Sequence, residues 1–270
     1  MSEAPAAPSA SDLRADIVNR TTRLAAVGAG AGLVAGVVTG VLARLAMRVL
    51  AAASPHARGQ ITDDVAEVGL ISVQGTTFLL VFVTALGALA GLVYAGARFA
   101  IPGRPSVRAV AFGVVAGLLG GSVVVRDTTS FDFGVLRPQW FAVLAFTLLP
   151  GLCGWLAAVL VERWHRYGED RPAWLDAAVV IAGGLGILVT FPVSAPLLIA
   201  AYVVAQVPAL ARAWLGAPGR LLVRSVLAVA AAFGLAGLVS DVVSIATDTP
   251  PSAPFAAAVA PLSVPSASSG

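Results

Sequence analysis

The sequence contains no lysine, and all 17 of its basic residues are arginine. That absence excludes a side-chain Schiff base, attachment of pyridoxal phosphate and the phosphate-gripping lysine of a Walker-type loop. Cysteine is nearly absent too. The single one, Cys153, permits no internal disulfide and no multi-cysteine metal site, and in its apolar segment it reads as a small buried residue. Charged residues make up 11% of the chain, against about 25% in soluble domains. The net charge is only +3 with no basic run, which gives no reason to expect a nucleic-acid partner. His56 and His165 fall in loops expected on opposite sides of a membrane, so they form no shared metal site or relay. No cofactor is expected.

What fills the chain instead is apolar. Hydrophobic residues account for 58% and the mean hydropathy is +0.91, the signature of a polytopic membrane protein. From Leu24 to Ala43 the sequence is free of charge and proline, matching the roughly 20 residues a helix needs to cross hydrocarbon. Within it Gly28, Gly32, Gly36 and Gly40 recur every fourth position, followed in the same rhythm by Arg44 and Arg48. In a bilayer helices associate by close backbone contact rather than by hydrophobic burial, so this glycine zipper predicts a packing strip for a crossing helix.

Further spans are predicted at 77 to 97, 107 to 125, 140 to 161, 174 to 191, 195 to 211 and 221 to 241, making an all-α bundle of seven. The stretch from Trp174 to Trp214 is too long for one span. Phe191-Pro192-Val193-Ser194-Ala195-Pro196 is its natural turn. Residues 1–23 read as a disordered leader and a short interfacial helix, 24–246 as the transmembrane domain, and 247–270 as a disordered tail rich in proline, serine and alanine. With the N-terminus inside, the inner segments hold 12 of the 17 arginines, which predicts a cell-membrane protein with cytoplasmic N-terminus and external C-terminus.

Two neighbouring hairpins share phrases. Gly36-Val37-Val38-Thr39-Gly40 in the first span echoes Gly113-Val114-Val115-Ala116-Gly117 in the third. Phe78, Thr84, Leu86, Leu89 and Gly91 match Phe141, Thr147, Leu149, Leu152 and Gly154 at one constant offset. The expectation is a duplicated hairpin, spans 1 and 2 repeating as 3 and 4 about an axis along the membrane normal.

The Arg44-x-x-x-Arg48 end of the first span, Thr62-Asp63-Asp64, and Leu136-Arg137-Pro138-Gln139-Trp140 resemble a group of uncharacterised actinobacterial multi-pass integral membrane proteins. The likeness covers mainly residues 30 to 165 and implies no activity, since the group has no assigned one.

No catalytic constellation emerges. Ser122 lacks a matching histidine and a nucleophile elbow, and reads as a packing hydroxyl. The loop from Glu162 to Arg171 mixes both signs of charge with aromatics and reads as a solvated interfacial anchor. Pro150 in the fourth span reads as a kink rather than a solute site. Polar residues gather at the outer face, where Arg44, Arg48, Arg126 and Arg137 meet Asp63, Asp64, Glu67, Asp127, Asp132 and Asp241. The cluster is either self-neutralising or a contact for an anionic lipid headgroup or another membrane protein. The expected function is therefore a non-enzymatic structural, envelope or assembly component in contact with membrane lipid. The alternative is a small-solute transporter or channel, for which a water-filled cavity reaching Thr84, Thr147 or Gln206 would speak.

Overall fold

Every long element in this computed structural model is an α-helix, and the residues it describes are 10–55, 59, 72–125, 138–166, 177, 180–188, 190, 195, 199, 213–214 and 216–247. Five helices dominate in chain order: α1 (Ala10–Ala53), α2 (Val73–Ala97), α3 (Pro105–Val124), α4 (Gln139–Arg166) and α5 (Ala217–Thr247). All five are long and apolar enough to cross a membrane.

Local chemistry sets their ends. Ser72 caps α2, its hydroxyl accepting the Gly75 N–H at 3.0 Å, which moves the helix start ahead of the predicted 77. Pro105 opens α3 at its first turn, where a missing N–H costs nothing. Between α2 and α3 the chain reverses through Gly103, whose φ of 102° a side-chain-bearing residue adopts only with strain. At the other extreme α1 has no break. Its 44 residues would span about 66 Å, so the expected surface helix and the first span are one continuous rod.

Glycine and alanine determine how the rods meet. A Cβ built on Gly36 would stand 2.6 Å from the Thr84 Cα, and one on Gly28 would stand 2.8 Å from the Gly91 carbonyl oxygen. At Gly32 it would collide with the Gly87 carbonyl itself. The α1 and α2 backbones are therefore in direct contact along three turns. The second pair uses the same device: Gly117 and Gly121 lie against Thr147, and Gly113 against Gly151 and Trp155 of α4. Gly120 makes room for the ring of Pro150, so this proline packs into the α3 interface while α4 continues through it.

The two pairs compare closely, but one turn away from the register expected from the shared phrases. Gly91 faces the Gly32 Cα, and its counterpart Gly154 faces that of Gly113; Thr84 meets Gly36, and Thr147 meets Gly117. By contact, Gly32 and Gly36 thus correspond to Gly113 and Gly117, whereas the phrases pair Gly36 with Gly113. Matching by contact also aligns Gly40 with Gly121. The two pairings differ by one turn, and a four-residue rhythm matches itself after every shift of four.

Helix α4 is central and touches α1, α2 and α3. Its Cys153 and Ala157 are buried with Ala35 of α1, while Ala158 and Val161 join Val27, Tyr94, Ala109 and Phe112 in the largest core cluster. Small side chains dominate this interior. Large ones face outward, with Phe78 69% and Phe233 74% exposed, the inverse of a water-soluble protein and the pattern a lipid solvent favours.

Helix α5 packs chiefly on α3 and runs parallel to it, since Arg224 reaches Ala100 while Gly234 meets Leu118 and Gly237 meets Ser122. Residues 180–188 are helical and rise beside α1 in its own direction, Gly183 against Ala26 and Gly186 against Ala29. Farther on, the ring of Trp214 lies 6.0 Å from that of Phe99, back where α2 gives way to α3. One end of the bundle collects Arg20, Arg23, Arg98, Arg104, Arg108, Arg163, Arg166, Arg220 and Arg224. The opposite end holds Arg44 and Arg48.

Candidate functional site

Of the cluster expected at the outer face, the structure describes Arg44, Arg48 and Asp241, the last on α5 and outside the lining of the groove that Arg44 and Arg48 border. Asp63, Asp64, Glu67, Arg126, Asp127, Asp132 and Arg137 lie outside the described residues. One helical turn separates Arg44 from Arg48, so both stand on the same side of α1. They border a groove of about 300 Å³ between α1 and α2. Gly40, Val41 and Leu45 form its α1 wall, and Thr76 and Leu80 its α2 wall. The Nε of Arg44 is buried without a hydrogen-bond partner. Neither arginine forms an ion pair with a described residue. Helix α2 offers no counter-charge, for its 25 residues include no ionisable acid or base apart from Tyr94.

At the arginine-rich end sits a second polar group that sequence reasoning missed. Glu162 is only 6% exposed, so its reading as the start of a solvated loop does not hold. The hydroxyl of Tyr94, itself fully buried, donates to Glu162 Oε1 at 2.9 Å. Arg108 Nη1 stands 3.6 Å from the same oxygen. That guanidinium is held in place from the other side, its Nε donating to the Gly103 carbonyl at 2.9 Å. Tyr94 in turn packs at a tilt on Phe112, the ring centres 5.1 Å apart. The group therefore ties α2, α3 and α4 together just inside their ends. Nearby, Arg224 of α5 donates from Nε to the Ala100 carbonyl at 2.7 Å, clasping the turn between α2 and α3.

A signal for Glu162 was present. Gly154, Ala158 and Glu162 recur every fourth residue, so the carboxylate continues the buried stripe of α4. Among the described residues it is a buried carboxylate held by one hydroxyl and one guanidinium. Thr84 and Thr147, the candidates for a solute path, both face helix contacts, against Gly36 in one pair and against Gly117 and Gly121 in the other. Gln206 lies outside the described residues. Comparison with family models, with curated proteins and with solved structures finds no match to the chain.

Proposed function

We propose that the chain is a non-enzymatic, multi-pass membrane component with seven crossings, whose outer end makes contact with lipid or with another membrane protein. The observation that carries the contact is the pair Arg44 and Arg48, which stand beside an open groove whose described lining holds no counter-charge. Guanidinium groups at the edge of hydrocarbon without partners are costly, and a contact at this end would relieve them. Helix interfaces made of touching backbones leave little room for a solute path near Thr84 and Thr147, which favours this reading over a transporter. The resemblance to actinobacterial multi-pass proteins is in keeping with it and adds no activity.

The path of the chain supports the count of seven. After α4 ends at the arginine-rich end, residues 180–188 travel away from that end beside α1, and Trp214 has returned to it before α5 departs. An out-and-back excursion adds two crossings to the five long helices. Arginine placement supports an inside N-terminus, because the nine arginines named above at one end outnumber Arg44 and Arg48 at the other. The matched contacts of the two glycine-packed pairs support a duplicated hairpin, in the register that aligns Gly32 with Gly113.

Topology is tested by replacing Cys153, placing single cysteines at Thr129, Gly168, Ser194 and Ser269, and treating intact cells with an impermeant thiol reagent. Labelling is expected at Thr129, Ser194 and Ser269, with protection at Gly168. Protection at Ser194 alone would reduce the count to five, and the mirror-image pattern would reverse the orientation. The contact itself is tested by mass spectrometry of gently purified protein, in which a retained lipid or membrane-protein partner is expected. A bare chain under those conditions would count against the contact.

A further inference from the structure

Resting on the reading that the Arg44 end is a contact surface, we propose that the groove between α1 and α2 binds an anionic membrane lipid, its phosphate between Arg44 and Arg48 and an acyl chain along Val41, Leu45 and Leu80. Three observations point to this occupant. First, the walls are amphipathic in one direction only. Val41 and Leu45 are half-exposed apolar residues directly beside the two guanidinium groups, an arrangement that suits a molecule with a charged head and a hydrocarbon tail.

Second, the charge of the groove is positive and unmatched among the described residues that line it. Arg44 Nε is shielded from solvent with no hydrogen-bond partner, and the facing helix has no carboxylate. A desolvated donor aimed at nothing costs free energy that an anion would recover. Arginines one turn apart can each present a fork of donors to one tetrahedral phosphate, a geometry that two ammonium groups would not reproduce.

Third, the depth is right. A span entering at Leu24 leaves about 30 Å of hydrocarbon near Ala43, so Arg44 and Arg48 stand in the phosphate layer while Val41 and Leu80 lie just below it. Gly40 keeps the groove floor low, because even a Cβ there would press on the Leu80 Cδ1 at 3.0 Å. A free phosphate would use the arginines and ignore the apolar walls. A lipid uses both.

The experiment takes the full chain, delipidated in detergent, and titrates it with phosphatidylglycerol, phosphatidylcholine or inorganic phosphate, reading bound mass by native mass spectrometry. One phosphatidylglycerol is expected per chain, held at least tenfold more tightly than phosphatidylcholine. The double variant Arg44→Gln/Arg48→Gln should lose that preference, and Val41→Trp, which fills the apolar wall and leaves both charges, should lose the lipid as well. Arg44→Lys/Arg48→Lys keeps the charge without the forks and should bind several-fold more weakly, which keeps the test open should the glutamine variant not fold. Equal binding of the two lipids, or undiminished phosphatidylglycerol binding by Val41→Trp, overturns the proposal. Inorganic phosphate binding as tightly as phosphatidylglycerol overturns the lipid as occupant in favour of a free anion. None of these failures would alter the cysteine-labelling pattern, so the topology and the lipid site stand or fall separately.

Discussion

Replacing Gly32 with leucine should abolish assembly of the bundle, the largest single-residue effect expected anywhere in the described structure. A Cβ at this position would run into the Gly87 carbonyl oxygen and stand 2.8 Å from the Ala88 Cα. Those are backbone atoms, which cannot rotate away as a side chain could. To admit even a methyl group α1 and α2 must move apart, and separation at one point loses the contacts at Gly28 and Gly36 together. Overpacking a well-filled core typically costs about 1–3 kcal/mol. Gly32→Ala should fall within that range, and Gly32→Leu beyond it, because here two helices rather than two side chains must yield. Gly96 supplies the control, since a Cβ there would meet nothing within 4 Å. Size-exclusion profiles and thermal unfolding in detergent would read the series. The expected order is Gly96→Ala equal to the unaltered protein, Gly32→Ala shifted down, and Gly32→Leu aggregated. A monodisperse, thermally unchanged Gly32→Leu would mean that α1 and α2 are not in backbone contact.

The α1 half of this interface was legible in the sequence, because a four-residue glycine rhythm in an apolar run has few other uses. Its partner was less so. Gly87 and Gly91 are four apart, but two glycines do not make a rhythm against a composition so rich in glycine and alanine. The same composition explains why the shared phrases and the helix contacts pair the two hairpins one turn apart. When Gly28, Gly32, Gly36 and Gly40 all resemble one another, neighbouring residues such as Val37 and Val38 decide an alignment, and those two are exposed and free of any packing constraint. The contact of Gly154 with Gly113 supports the other pairing.

The site residues divide in a comparable way. Arg44 and Arg48 were legible because charge at the end of an apolar span is conspicuous. Glu162 was not, since it sits in a phrase, Glu162-Arg163-Trp164-His165-Arg166, whose other members do face outward in large part. A helix rotates about 100° per residue. The residue that begins a charged run can therefore lie on the buried face while its successors reach water, and only the periodicity from Gly154 and Ala158 distinguishes it.

Removing the Glu162 carboxylate should be the most destabilising change at the arginine-rich end, and the pattern of effects across its neighbours should identify why. The carboxylate is buried, accepts the Tyr94 hydroxyl at 2.9 Å and faces Arg108 at 3.6 Å. Glu162→Ala leaves the Tyr94 hydroxyl without this acceptor, in the core that holds Phe112 and Val161, and the Arg108 guanidinium without this counter-charge. Breaking a buried pair by deleting one partner costs about 3–5 kcal/mol. Because Arg108 remains partly exposed, with 29% of its side chain accessible, water can reach it, and the lower end of that range is expected. Tyr94→Phe removes only the hydroxyl and keeps the ring on Phe112, so about 1 kcal/mol should be lost. Once Glu162 is alanine, however, the hydroxyl has nothing to donate to, and deleting it should cost nothing further or restore a fraction of the loss. The double variant should therefore unfold with Glu162→Ala and not below it, a non-additivity of about 1 kcal/mol or more, measurable by titrating mixed micelles with a denaturing detergent. Glu162→Gln separates the two partners. An amide oxygen can still accept from Tyr94 but no longer neutralises Arg108, so its loss should lie between those of the other two variants. Strictly additive effects, or a Glu162→Ala variant within about 0.5 kcal/mol of the unaltered chain, would show that this carboxylate is solvated in the membrane-embedded protein and does not join α2, α3 and α4.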